Sequence, residues 1–296
     1  MDIIPQLLVN SLIAGSIYAI AGSGLSMTYG LLRILNFAHG HFMMVGAYFF
    51  YLTSVEQGLN YPAAGAFTAL AMLVVAVLSL KIFIMPFRRY STMLPFVTTL
   101  ALSAILEALV SIVFGVNVKS LGSGLGMTSY EFLGVFITPI QLIIIVSSLV
   151  LMTVLAFVVH ATSVGRYIRA LAENSYAAES LSISQMKVSF WIFTIASLFA
   201  AFAGILAGFE TNMQPTMGNA YTIKAFAAMI LGGLGNIWGT IAGSYILGLL
   251  ENLSIGLDFW GYSLPAGYKD AFAFVIIVVV LLFKPQGLFN RASRQA

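Results

Sequence analysis

The chain has 296 residues, of which 60% are hydrophobic and only 8% are charged, and its mean hydropathy is +0.99. A soluble domain carries about 25% charged residues, so this composition excludes a water-soluble globular protein and indicates a chain that folds in a bilayer. The absence of cysteine excludes a disulfide scaffold and a thiolate metal site. The formal net charge is only +3, so the distribution of the basic residues is more informative than their total.

Apolar segments long enough to cross a membrane, which takes about 20 residues, follow one another along most of the chain. The sequence predicts spans near 4–29, 34–55, 62–84, 92–115, 138–160 and 187–209, a broken pair at 224–234 and 237–253, and a final span at 269–284. We therefore predict an all-α, polytopic transmembrane helical bundle of about 8–10 spans, some of them broken or re-entrant. Segment 3–29 is too long for a signal peptide and follows no basic region, so we expect no cleavable signal.

The basic residues are distributed unevenly between the two ends of these spans. If segment 86–91, the polar stretch 160–187 and the C-terminal tail share one side, that side collects Arg33, Lys81, Arg88, Arg89, Arg166, Arg169, Lys187, Lys284, Arg291 and Arg294. Only Lys119, Lys224 and Lys269 then lie outside, together with the acids Asp2, Glu56, Glu131, Glu210, Glu251, Asp258 and Asp270. Because cytoplasmic loops are rich in Lys and Arg, we predict an external N-terminus and a cytoplasmic C-terminus. Termini on opposite sides require an odd number of membrane crossings, so segment 224–253 must cross twice or re-enter.

Two stretches at membrane depth combine glycine with Asn or His. Residues 35–41 lie where the first span gives way to the second, and residues 231–236 split the later pair. Irregular backbone at that depth is stable only when it is buried in protein or lines a wet cavity. Half-helix ends beside such a cavity present free N–H and C=O groups to a polar solute. Close helix packing by small residues is the alternative interpretation.

Glu107 is the one acidic residue near the middle of a well-defined predicted span, 92–115. A carboxylate there usually faces a cavity or a partner, although a neutral, hydrogen-bonded structural carboxyl is the alternative. His39 and His41 are two residues apart and do not share a helix face, so no metal site is predicted. Lipid offers polar groups no partners, so we predict one shared wet cavity. Its lining would be Asn36, His39, His41, Glu107, Gly232, Gly233 and Gly235.

The stretch 160–187 is the one long polar, helix-forming segment. It contains the charged residues Arg166, Arg169, Glu173 and Glu179 and an apolar stripe of Ile168, Leu171, Ala178 and Leu181. Within 163–183 we predict a short helix, a turn capped by Asn174 or Ser175, and a second short helix. Gly165 would let the chain leave the preceding span sharply. Such a hairpin is typical of a surface that docks on a soluble partner, and we expect its apolar stripe to fill a groove there.

Sequence motifs for nucleotide binding and catalysis do not occur. The chain has no GxxxxGK[ST] pattern, so it is not predicted to bind ATP through a P-loop. The Gly-rich segment 232–235 neither follows a strand nor lies in a soluble domain, so it is no dinucleotide fingerprint. We expect no enzyme activity and no cofactor bound by this chain.

Four ordered groups of residues carry a family resemblance. They are 15–20 with 29–30 and 36–40, then 165–166 with 169–170 and 177–178, then 224–228 with 231–235, and last 268–270 with 285–288. Together they resemble the LivH/LivM-type permeases, most closely the LivH type, which are the membrane subunits of ABC importers for branched-chain amino acids. The match is collinear over nearly the whole chain.

The resemblance implies a single transmembrane permease domain, 1–296, similar in fold to the vitamin B12-type importer permease and located in a bacterial inner membrane. It implies a second related permease subunit, expected as a heterodimer, an external substrate-binding protein, and two cytoplasmic ATPase subunits that bind the ATP. No nucleic acid is expected as a partner. The implied coupling segment is 161–186, with Gly165, Arg166, Arg169, Ala170, Glu173, Ala177, Ala178 and Leu181 as coupling residues.

Three positions depart from the usual pattern of that family. His41 stands where an acidic residue is common, Glu107 stands where Gln is common, and Trp238 replaces a Pro that often follows the Gly-rich turn. Because His41 and Glu107 are predicted to line the pathway, the resemblance does not carry leucine-type specificity over to this chain. Relatives also carry urea, short amides or aromatic acids.

An ion-coupled secondary transporter acting alone is the competing interpretation from another class. It would explain Glu107 as a proton or cation site, but it would not explain the polar stretch 160–187, and no convincing inverted repeat is present. A channel or structural membrane protein is a third interpretation, which the collinear resemblance disfavours.

Overall fold

The computed structural model describes residues 3–88, 90–91, 93–122, 128–132, 134–256 and 268–289. The helices in these ranges are α1 (Ile4–Leu32), α2 (His39–Tyr51), α3 (Tyr61–Ser79), α4 (Met85–Arg88), α5 (Leu94–Phe114), α6 (Pro139–Ala161), α7 (Ser163–Glu173), α8 (Ser175–Ser180), α9 (Gln185–Glu210), α10 (Met217–Gly232), α11 (Ile237–Gly256) and α12 (Lys269–Phe283). Single π-helical turns extend α2 over Leu52–Glu56 and join α3 to α4 over Leu80–Ile84. An antiparallel hairpin of β1 (Tyr130–Phe132) and β2 (Val135–Ile137) precedes α6.

Five helical units among the described residues are long and apolar enough to cross a membrane alone: α1, the continuous α3–α4 unit, α5, α6 and α9. The predicted broken pair is α10 and α11, which are bent by 116° at the turn between them and form a sixth candidate. Helices α2 and α12 have only 13 and 15 residues. The all-α transmembrane class is confirmed, but fewer helices qualify by length than the roughly 8–10 predicted spans. The β-hairpin was not predicted.

One end of the bundle carries the β-hairpin and is called the hairpin face. The Gln6 side chain, near the start of α1, donates to the Phe136 carbonyl oxygen at 3.1 Å and accepts from the Phe136 N–H at 2.8 Å. A capping box of Thr138 and Gln141 begins α6 directly after β2. Gln141 also donates to Glu210, the last residue of α9, at 3.1 Å. The starts of α1 and α6 and the end of α9 therefore share this face.

The opposite end carries α7 and α8 and is called the α7 face. Gly30, near the end of α1, lies against Gly235 in the turn between α10 and α11. The ring of His160, at the end of α6, stacks on Trp238 with 5.7 Å between centroids. The helix directions place most described basic residues at this face: Arg33, Lys81, Arg88, Arg166, Arg169, Lys187 and Lys284. The positions Asp2, Arg89, Asp258, Arg291 and Arg294, which also entered the charge prediction, lie outside the described residues.

Small residues let the central helices approach one another closely. Helix α2 packs on α9 where Gly46 meets Ala201 and where Gly204 meets the backbone carbonyl of Met43. A Cβ atom added at Gly46 would lie 2.5 Å from the Ala201 Cα atom, closer than two carbon atoms can pack. Van der Waals contact of this kind replaces the hydrophobic effect as the force between helices in lipid.

Gly204→Ala is expected to destabilise the bundle because the new methyl group would overlap the Met43 carbonyl. Gly65 on α3 has no neighbouring atom within 4 Å of an added Cβ, so Gly65→Ala is the matched control. Both changes gain about 1 kcal/mol of helix propensity, and the clash is expected to cost about 1–3 kcal/mol. Thermal unfolding in detergent measures the difference. A Tm for Gly204→Ala at or above that of Gly65→Ala would contradict the α2–α9 contact.

Candidate functional site

Helix α2 begins deep inside the bundle rather than at its surface. Helix α1 ends at Leu32. The next residue, Arg33, caps it with a left-handed φ of 54° and an N–H that donates to the Tyr29 carbonyl, and the chain then turns back. The His39 ring, at the first residue of α2, lies 2.8 Å from the Ala21 carbonyl oxygen. Ala21 precedes the last residue of α1, Leu32, by 11 residues. At 1.5 Å per residue, α2 therefore starts about 16 Å inside that end of α1.

The polar groups of this break find their partners within the bundle. Asn36 Oδ1 accepts from the backbone N–H two residues further on at 3.1 Å, and the Gly40 N–H donates to Thr222 Oγ1 at 3.1 Å. A carbonyl oxygen only accepts, so His39 donates to Ala21 through a proton on Nε2. Asn36 and His39 are each 1% exposed. These two predicted pathway residues hold the break together and do not line an open surface.

Glu107 joins α5 to α2 and α10 in one polar patch. Its Oε2 atom lies 3.4 Å from His41 Nε2 and accepts from Asn219 Nδ2 at 2.9 Å. The His41 side chain is 2% exposed and that of Glu107 is 28% exposed, while Asn219 is exposed. His41 and Asn219 therefore fix one carboxylate oxygen of Glu107, while part of the Glu107 side chain remains exposed. The structure brings His41 and Glu107 together, as predicted, and adds Asn219, which no sequence pattern indicated.

An open apolar groove runs along α10 from the polar patch towards the α7 face. Residues three or four apart share one side of a helix, and the α10 wall of the groove is such a stripe of Ile223, Phe226 and Ile230. Leu234 of the following turn continues this wall. Asn219 precedes Ile223 by four residues and so lies on the same side of α10. The groove has a volume of about 560 Å³, and its other walls include Leu35, Phe37, Leu281 and Pro285. The Phe37 ring stacks on Phe226 with 4.7 Å between centroids. The patch and the groove thus lie on the same side of α10.

The glycine-rich turn lies at the other end of α10 from Glu107. Gly233 and Gly235 have φ angles of 110° and 78°, which only glycine adopts readily, while Gly232 packs closely on α11 and Gly235 on α1. Asn219 and Gly233 are 14 residues apart along the helix, which is about 21 Å. The turn and the polar patch therefore lie at opposite ends of α10, and that both line one cavity stays a prediction. The turn serves helix packing, which was the alternative interpretation.

A buried ion cluster fixes α10 to its neighbours. Lys224 Nζ lies 3.2 Å from Glu251 Oε2 and 2.8 Å from Asp270 Oδ1, and the Tyr18 hydroxyl donates to Glu251 at 2.8 Å. Glu251 is 1% exposed. The charge distribution predicted Lys224, Glu251 and Asp270 on the external side, but Lys224 and Glu251 lie within α10 and α11. Glu107 is therefore joined by a second acid, Glu251, inside a helix of the bundle. An ionisable residue inside an apolar span was the available signal.

Lys224→Met is expected to destabilise the fold by about 3–5 kcal/mol because it leaves the buried Glu251 carboxylate without its counter-charge. Lys119→Met is the matched control, since Lys119 pairs with Glu56 at 3.8 Å on a partly exposed surface, where such a pair contributes about 1 kcal/mol or less. Thermal unfolding of the two purified variants measures both effects. Equal losses of Tm would contradict the structural role of the ion cluster.

The polar stretch 160–187 forms two short helices that meet at Asn174, as predicted. Asn174 Oδ1 accepts from the Ala177 N–H at 3.1 Å and so begins α8. Gly165 packs directly against the last turn of α6, where a side chain would overlap the Val159 carbonyl. The Arg169 guanidinium donates to that same carbonyl, and a basic side chain favours a helix C-terminus. These contacts fold α7 back sharply from the end of α6.

The apolar stripe of this hairpin packs on the chain's own helices. Leu171 and Ala178 are 4% and 2% exposed and lie in one cluster with Met27 of α1 and Ile192 of α9. The expectation that the stripe fills a groove on a partner is therefore wrong for these residues, because they cover the end of the bundle. Leu181, in contrast, is 76% exposed. The outer surface of α7 and α8 is formed by Arg166, Tyr167, Glu173, Ala177 and Leu181.

The chain matches one family model over most of its length. That model is described as "Branched-chain amino acid transport system / permease component" and covers residues 7–281. The chain belongs to this permease family. Among its relatives is the high-affinity branched-chain amino acid transport system permease protein BraD of Pseudomonas aeruginosa, 30% identical over 97% of this chain and 95% of BraD. The LivH permease protein of Escherichia coli K12 is also 30% identical, over 97% of this chain and 95% of LivH.

A solved structure supports the fold of this permease. The chain is similar to PsaBC from Streptococcus pneumoniae, solved in complex with Fab, with a TM-score of 0.52 over 97% of this chain and 93% of that one. The two sequences are 11% identical, so the likeness concerns the fold alone.

Family membership supports the ABC importer permease over the ion-coupled secondary transporter acting alone. The relatives are named as permease components of transport systems, and none of these names describes an enzyme. Together with the apolar helices, they make this chain a multi-pass membrane protein. Intramembrane Glu107 therefore needs an explanation within a permease, where its hydrogen bond to Asn219 places it beside the groove side of α10.

Proposed function

We propose that this permease forms the translocation pathway of an ABC importer in a bacterial inner membrane. Its solute would be a branched-chain amino acid or a related small polar molecule delivered by an external binding protein. The observation that carries the proposal is the α10 groove, whose polar patch of His41, Glu107 and Asn219 leads into apolar walls. Such a surface offers a solute few polar contacts, which suits transient passage with affinity left to the binding protein.

A second related permease subunit would close the groove, so that each subunit supplies half of the pathway. The groove is open on one side in this chain, and its stripe residues Ile223 and Leu234 are 49% and 42% exposed. Their exposure, next to the exposed amide of Asn219, supports a partner surface that leaves a wet path between two subunits. We expect this partner to be a different but related chain, giving a heterodimer.

The hairpin face would be external and the α7 face cytoplasmic. This orientation is supported by the basic residues that collect at the α7 face, since cytoplasmic ends are rich in Lys and Arg. It places the N-terminus outside and the C-terminus inside. Two ATPase subunits, which bind the ATP, would dock on the exposed side of α7 and α8 within the coupling segment 161–186. The single permease domain over 1–296 stays a prediction.

Affinity purification of the tagged chain from its native host tests the assembly. We expect an ATPase subunit and a second permease subunit to copurify, and reconstituted vesicles to accumulate radiolabelled leucine or a related solute only with ATP and a binding protein. A chain that purifies alone and supports uptake driven by an ion gradient would contradict the proposal.

Glu107→Leu is expected to reduce uptake about tenfold, because Asn219 and His41 lose the acceptor that orders the polar patch. Glu107→Gln is the matched variant, since its side-chain oxygen still accepts from Asn219, and it should retain most of the uptake. Initial rates of binding-protein-dependent uptake in proteoliposomes, at equal protein content, measure both variants. Normal transport by Glu107→Leu would contradict a role of the polar patch in the pathway.

Ala177→Arg is expected to uncouple ATP hydrolysis from uptake, because it places a bulky charge on the exposed side of α8. Its thermal stability should stay unchanged. Ala178→Arg is the matched variant, and because Ala178 is 2% exposed it should also lower the Tm. ATPase activity, uptake and Tm are measured on the same preparations. Coupled transport in Ala177→Arg at the normal rate would contradict the docking role of α8.

A further inference from the structure

A cleft at the α7 face holds basic side chains whose charges have no described partner. It has a volume of about 610 Å³ and opens between the end of the α3–α4 unit and the start of α9. Lys81 and Arg88 line one wall, and Gln185 and Ser189 line the other. Within the described ranges, neither Lys81 nor Arg88 has an ion pair or a side-chain hydrogen bond. Arg88 is partly buried.

Ser189 gives an independent indication that something polar occupies the cleft. It is 1% exposed, and its Oγ atom has no hydrogen-bond partner among the described residues. Buried hydroxyl groups are nearly always hydrogen-bonded, so the Ser189 hydroxyl on the cleft wall is available to donate to a group bound there. Helix α9, of 26 residues, also begins at the cleft, and the N-terminus of a helix carries a partial positive charge.

We propose that this cleft binds the phosphate group of an anionic phospholipid. Lys81 and Arg88 outweigh the one acid that lines the cleft, Glu179, and the α9 N-terminus adds to the positive potential. Basic pockets between helices on the cytoplasmic side suit anionic headgroups. Ser189 would donate to a phosphate oxygen, and the Glu179 carboxylate would accept from a headgroup hydroxyl, which favours a phosphatidylglycerol-type headgroup.

The surroundings of the cleft favour a lipid over a soluble phosphate. Ile82, next to Lys81, is 55% exposed, and Met186, next to Gln185, is 60% exposed, so apolar surface for acyl chains flanks both walls. Tyr90 lines the cleft and is 81% exposed, and tyrosine is enriched where a bilayer meets water. This binding rests on the proposed cytoplasmic position of the α7 face, but it uses residues away from the α10 groove and so is tested separately from transport.

Native mass spectrometry of the full-length chain in detergent tests the site. The chain is titrated with dioleoyl phosphatidylglycerol and, for comparison, with dioleoyl phosphatidylcholine. We expect one saturable site that prefers phosphatidylglycerol. Arg88→Gln should weaken binding about fivefold, and Ser189→Ala should weaken it about threefold without lowering the Tm, because the hydroxyl has no protein partner to lose. Lys187→Gln, an exposed basic residue in the first turn of α9, is the matched control and should bind as the parent does.

Three other outcomes would each contradict the proposed lipid site. Equal phosphatidylglycerol binding by the parent, Arg88→Gln and Ser189→Ala would show that the cleft is not the site. Displacement of the lipid by millimolar inorganic phosphate would show that the cleft binds a soluble phosphate, and it would contradict the proposal that the ligand is a lipid. Loss of ATPase copurification in Arg88→Gln with unchanged lipid binding would make the cleft a protein contact, and so overturn the proposal.

Discussion

The rest of the site depends on one constraint, which is that the backbone between α1 and α2 leaves its helical path where lipid offers no hydrogen-bond partner. The polar groups of this segment find hydrogen-bond partners only inside the bundle. His39 donates to α1, and the Gly40 N–H donates to Thr222 of α10. These bonds hold the first turn of α2 against α10, and they determine where His41 lies. The position of His41 in turn determines where the Glu107 carboxylate finds its hydrogen-bond partner.

Two of the polar groups inside this permease lie on different sides of α10. Lys224 faces α1, α11 and α12, where its carboxylate partners satisfy it completely within the protein. Asn219 and Glu107 lie towards the open groove and keep an exposed edge. Helix α10 is therefore anchored from one side and stays open on the other, where we propose that the solute and a second subunit meet it. A helix so anchored can present a fixed stripe without depending on the partner for its position.

Hydropathy and capping signals predicted the helices and the α7–α8 hairpin because those features depend on neighbouring residues. They could not place Lys224 beside Glu251, since the two are 27 residues apart and meet only because α10 and α11 fold back on each other. For a related reason, composition did not show that the polar patch and the glycine-rich turn lie at opposite ends of one helix. An amphipathic stripe likewise shows that one side of α7 is buried, but not what covers it.

The central claim is that the α10 stripe lines a water-filled path in the assembled importer. The chain has no cysteine, so single cysteines at Ile223 and Ile230 can be labelled by a hydrophilic thiol reagent without background. Leu149 on α6, which is 66% exposed and faces the lipid in this account, is the matched position. Labelling rates are compared in the reconstituted complex. The account predicts that the cysteines at 223 and 230 react much faster than the one at 149, whereas equally slow labelling at all three would contradict it.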